Sequence, residues 1–308
     1  MEGELALAQR IATALLNLAL AGLVGAAIAR LWLRRGVSPW ARALDLRLRG
    51  AMRAGVAAAG LAYGAVLWLE AAAMAEVPLA QAFPAVQSVL AATHYGLAWM
   101  SGAGALLVLG LTLVLPGGRG AAAGLLRLVA LAALLYSRST VSHAAAGGDF
   151  TWAVAADWLH LVLASVWVGA VLVAGLAALR AQPADPQSRL ECGAYVQALS
   201  RSATVALAGI VATGAVSAWR GLGTIGNAFG NPYADTLLLK LTLVLCAAAL
   251  GGLNRFSVMP ALLKGLRQAG PTPPATRRRF VLILRVETVF LLAALVTAAF
   301  LAATPPPG

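Results

Sequence analysis

Apolar runs of about 20 residues recur along this chain, and a run of that length is what a helix needs to cross a bilayer. Eight are read, near 8–31, 52–75, 84–115, 121–142, 151–179, 198–220, 233–256 and 280–303. Within a hydrocarbon layer the backbone must satisfy its own hydrogen bonds, so only helices and closed barrels can span it. These runs lack the polar alternation of a barrel strand. The expectation is an all-α integral membrane protein, a bundle of eight transmembrane helices forming one polytopic domain over residues 1–308. Only 11% of the residues are charged, against about 25% in a soluble domain. The third run exceeds what a bilayer demands, which predicts a tilted or projecting helix.

Charge is distributed by loop. The first loop carries Arg30, Arg34, Arg35, Arg42, Arg47, Arg49 and Arg53, and the third is flanked by Arg119 and Arg127. The fifth has Arg180, Arg189 and Arg201; the seventh runs from Arg255 through Lys264, Arg267 and Arg277 to Arg279, with Arg285 beyond. The opposite side holds Glu2, Glu4, Glu70, Glu76, Asp149, Asp157 and Asp235, with few bases. Basic loops stay in the cytoplasm, so both termini are expected on the periplasmic side. The net charge of +12 then reflects topology and contact with anionic lipid rather than nucleic acid. Pro116, Gly117 and Gly118 end the third helix, and Asn231-Pro232 reads as a cap and first turn of the seventh. Cys192 and Cys246 form no CxxC element, and no cleavable leader is read.

Ionisable groups inside such helices are costly and persist for function. His94 lies ten residues into the third run and His160 nine into the fifth. At 1.5 Å per residue the two sit about 15 and 14 Å down, at matching depth on different helices. Asp157 is one turn above His160 on the same face. His143 ends the fourth helix at the outer surface, and Glu70 and Met74 share a face of the second. The predicted site is therefore a vestibule of Glu70, Met74, His143 and Asp149 leading down to His94, His160 and Asp157. Imidazole with carboxylate or thioether support suits copper, as Cu(I) or Cu(II). Asp157 is a direct ligand or the acceptor that orients His160. Lys240 is placed to snorkel or to answer Asp157, and Glu287 to relay an ion or to pair with Arg255 or Arg285.

Several motifs resemble one family. They are DWLHLVLASVWVGAVLVAG at 157–175, GIVATGAVSAWRGLG at 209–223, NPYADTLLLKLTLVL at 231–245, LGGLNR at 250–255 and RVETVFLLAALVTAAFLAATPPP at 285–307, with STVSHAAAG at 139–147. Together they resemble the copper-resistance D (CopD, PcoD) family of bacterial inner-membrane proteins. The resemblance implies eight helices, multi-pass placement in the bacterial inner (plasma) membrane, and copper handling with a periplasmic CopC-like carrier as donor. On matching positions it implies His160, Asp157, Lys240, Asn254, Arg255, Glu287 and His143 as family features.

Three functions follow. The first is copper import or homeostasis: copper is taken from the periplasmic side by His94, His143, His160 and Asp157, then moved across or handed on. The second is a haem-b oxidoreductase with His94 and His160 as axial ligands. The third is a copper-delivery or assembly factor that does not transport. The expectation is a protein that is not an enzyme, and no GxxxxGK[ST] element argues for ATP coupling.

Overall fold

The computed structural model describes residues 2–115, 120–180, 182–268 and 274–307. Pro116 to Arg119 and part of the basic loop over 264–279 lie outside the described residues. Among those described the chain is helical throughout, with no strand. In order the helices are α1 (Glu2–Trp32), α2 (Pro39–Met74), α3 (Phe83–Ala92), α4 (His94–Val114), α5 (Ala121–Ser139), α6 (Trp152–Val173), α7 (Pro186–Leu222), α8 (Pro232–Leu253), α9 (Met259–Arg267) and α10 (Pro274–Ala302). Two five-residue π-helical turns, Ala174–Ala178 and Asn254–Val258, extend α6 and join α8 to α9. Among the described residues eight helical spans are long and apolar enough to cross a membrane.

Glycine sets the centre of the bundle. Gly25 of α1 and Gly169 of α6 meet backbone to backbone, and a Cβ on either would overlap the other helix's main chain. Where lipid is as apolar as the helix surface, close approach at small residues supplies the packing energy. Leu16, Leu20 and Leu23 of α1 and Ala170 and Val171 of α6 are fully buried on either side of this crossing. Helices α7 and α8 lie at the periphery, and only 17% and 11% of their apolar windows are buried.

Two helices begin well before the predicted spans. Ser38 caps α2 and Asp185 caps α7, each followed by proline at the first helical position. The 36 residues of α2 and 37 of α7 each span about 54 Å at 1.5 Å per residue, far more than the hydrocarbon core. Both therefore project from the end of the bundle that carries the basic loops. There Glu191 accepts hydrogen bonds from the Val37 N–H (3.0 Å), the Ser38 N–H (3.2 Å) and the Ser38 hydroxyl (2.6 Å). Tyr195 wedges its ring between Trp32 and Trp40, at centroid distances of 5.3 and 5.8 Å.

The predicted third helix is two. It breaks at Thr93, whose backbone is extended (φ −118°, ψ 151°). Its hydroxyl donates to the Val89 carbonyl (2.7 Å), closing α3, and accepts from the Gly96 N–H (3.0 Å), opening α4. Gly96 packs against the backbone of Val89 and Leu90, where a side chain has no room. The turn is sharp because one side chain serves both helix ends.

Candidate functional site

This break moves His94. It is the first residue of α4 and stands at a helix end, so the depth of ten residues predicted for it is wrong. Its side chain is 57% exposed, and Nε2 lies 2.9 Å from Oδ2 of Asp149. Asp149 belongs to the segment between α5 and α6, where its backbone carbonyl accepts from the Tyr136 hydroxyl (2.8 Å). His143 opens a short 3-10 turn, His143–Gly147, in the same segment and is exposed.

His160 does sit within the bundle, about 12 Å from the start of α6 at the helical rise. It faces α7, where Nδ1 lies 3.0 Å from the Thr213 hydroxyl and the ring covers Gly214. Thr213 bears on the imidazole's chemistry. Its hydroxyl also lies 2.7 Å from the Gly209 carbonyl, and when its single proton is given there the oxygen accepts from the histidine. In that arrangement Nδ1 carries the ring proton, and Nε2 keeps a bare lone pair. Nε2 has no hydrogen bond among the described residues.

Asp157, one turn earlier, does not orient His160 as anticipated; Thr213 has taken that N–H. Asp157 instead lies 3.2 Å from the Ser142 hydroxyl, which is also 2.9 Å from the Ser139 carbonyl. Ser142 adjoins His143, so the segment between α5 and α6 touches His94 through Asp149 and Asp157 through Ser142. The segment thus reaches both His94 and Asp157, and Asp157 stands one turn before His160 on α6. Lys240, on the third turn of α8, is half-buried on the side of Asp157 and His160.

The remaining predicted residues lie apart. Glu70 accepts from the Gln9 amide of α1, and Met74 is 55% exposed. Glu287 is buried at 2% exposure and accepts from the Trp167 indole N–H at 3.1 Å. The expected pairing of Glu287 with Arg255 or Arg285 is absent among the described residues. Arg255 instead donates to the Ser200 carbonyl, the Ser200 hydroxyl and the Thr204 hydroxyl, and Arg285 lies 3.5 Å from the Gly175 carbonyl.

Taken together, His94, His143, His160 and Asp157 do not converge on one point. No three His, Cys, Asp or Glu side chains gather around a metal-sized space among the described residues. The cause is the Thr93 break, which holds His94 at the surface while α6 carries His160 inward. The haem reading loses its ground for the same reason, since it rested on equal depth. Thr213 was the residue that sequence reasoning undervalued; its signal was a threonine one turn after Gly209 within GIVATG.

Searches of the curated proteins and of the solved structures find no match. The family model described as Copper resistance protein D-like, N-terminal domain, matches residues 5–152, and that described as Copper resistance protein D matches residues 193–301. The first covers the helices that bring His94 and Asp149 together, and the second covers Thr213, Lys240, Asn254 and Glu287. With eight membrane-length helices and both matches spanning most of its length, the chain is a multi-pass membrane protein that belongs to the copper resistance protein D family.

Proposed function

We propose that this protein takes copper at the end of the bundle opposite its basic loops and holds it at His160, from which the ion is moved across or handed on. The observation that carries this reading is an imidazole within the bundle whose Nδ1 is engaged by Thr213, itself 2.7 Å from the Gly209 carbonyl, while Nε2 has no partner among the described residues. With the proton on Nδ1, that is the state in which histidine ligates a metal. His94 with Asp149, and His143 beside them, form the capture point, and Asp157 stands between that point and His160. One imidazole and one carboxylate, with Lys240 on their side, hold an ion weakly enough to release it, as a conduction site requires. The basic loops argue for placement in a bacterial inner membrane with the capture point facing the periplasm, where a CopC-like carrier is a suitable donor.

Copper content and affinity of the purified protein test the reading. His160→Ala is expected to lower affinity at least tenfold, in line with the loss of a ligand or its support. His94→Ala is expected to slow loading while leaving the bound amount unchanged at saturation. Copper binding by His160→Ala equal to that of the parent protein would remove the site. Copper flux into proteoliposomes then separates transport from delivery: flux supports movement across, whereas binding without flux supports a hand-on role.

A further inference from the structure

Two turns below His160 on α6, Trp167 points into a cavity of about 360 Å³ between α6, α7, α8 and α10, toward the basic end. Its walls include Phe256 and Phe280, together with Asn254, Arg255 and Glu287. Nothing in the copper reading uses these groups.

We propose that Glu287, with Asn254 and Trp167, forms a proton-binding station reached through this cavity and separate from the site at His160. Glu287 is 2% exposed, and its only hydrogen bond among the described residues comes from the Trp167 N–H to Oε1. Oε2 is left to hold a proton. Asn254 is 3% exposed, donates its Nδ2 to the Phe280 carbonyl at 3.2 Å, and leaves Oδ1 buried with no partner. An orphaned buried acceptor calls for a donor, which a protonated carboxyl or a water carrying the proton supplies.

Local backbone supports the arrangement. Asn254 begins the π-helical turn Asn254–Val258, a feature that recurs at functional positions. Gly251, one turn earlier on α8, makes room for the carboxyl; a Cβ there would lie 3.1 Å from Oε1. The cavity is large enough for several water molecules and offers them polar partners. Hydronium arriving there leaves its proton on Oε2 and remains as water, so the step balances without another reactant.

The groups around Glu287 select a proton over a metal ion. From α6 it meets an N–H donor, which repels a cation, and from α8 a glycine. The α7 wall of the cavity adds the Ser200 and Thr204 hydroxyls, which the Arg255 guanidinium holds. Arg285 on its own helix turns to Gly175, Arg30 of α1 pairs with Asp45, and Lys264 and Arg267 of α9 are exposed. An uncompensated carboxylate in a membrane interior is costly, and a proton removes that cost with the smallest change in packing.

The test uses the full chain in lipid nanodiscs, followed by infrared difference spectroscopy as the pH is stepped between about 5 and 9. The expected result is a carboxylic-acid C=O band that Glu287→Gln removes. Trp167→Phe is expected to shift the band without abolishing it, because Oε1 loses its donor. Both variants should load copper like the parent, which separates this station from the reading built on His160. A parent spectrum with no band that depends on Glu287 overturns the proposal. Should Glu287→Gln not fold, a Trp167→Phe spectrum superimposable on the parent's overturns it equally.

Discussion

In the proposed site Thr213 acts through His160 rather than on the ion. When its proton is given to the Gly209 carbonyl its oxygen is an acceptor, which holds the imidazole with the proton on Nδ1 and Nε2 open. Thr213→Val keeps the shape and deletes the acceptor. Copper affinity is expected to fall by about tenfold or more, the usual effect of losing a group that orients a ligand. Unchanged helical circular dichroism with unchanged affinity would show that the bond is idle. The placement of His160 and Asp157 on one membrane-length helix was legible in sequence because an ionisable residue in an apolar run stands out. Thr213 was not, since it lies in a different helix and its role depends on how α6 and α7 face each other. His94 was misplaced because neither proline nor glycine marks the break; a threonine hydroxyl does that work, and only the later Gly96 hints at it.

At the scale of helices, caps and close crossings decide where each element starts and what it can touch. The Ser38-Pro39 and Asp185-Pro186 pairs are start signals visible in the sequence, yet both precede polar, arginine-bearing turns that do not look membrane-spanning. That is why α2 and α7 were read short while their apolar cores were found. The Asp185 cap has a pH signature. The Ser188 hydroxyl, and then its N–H, donate to the Asp185 carboxylate and hold it below the usual aspartate range. Its contribution is fully present above the pH where a free aspartate titrates, about 4, and is lost as the pH falls through the lowered value. Thermal unfolding measured against pH should therefore lose part of its acid dependence in Asp185→Asn. Gly169→Ala tests the central crossing. With the Ala21 carbonyl and Gly25 in the way, the added methyl should cost about 1–3 kcal/mol by overpacking, read as a lower melting temperature in detergent.

For the molecule as a whole, the two ends differ in construction. At the basic end, projecting turns of α2 and α7 are stitched together by Glu191 and the Trp32–Tyr195–Trp40 cluster. At the other end, His94, Asp149 and Asp157 are organised by one connecting segment. A reporter fused to the C-terminus should be active only in the periplasm; activity in the cytoplasm would invert the assigned direction of copper capture. The backbone contact between Gly25 and Gly169 bears on movement as well. Helices that touch main chain to main chain cannot slide past one another without collision, so α1 and α6 act as a stationary mast. If the bundle opens to let an ion reach His160, that fixed crossing directs the movement to α7 and α8, the helices with the least buried apolar surface.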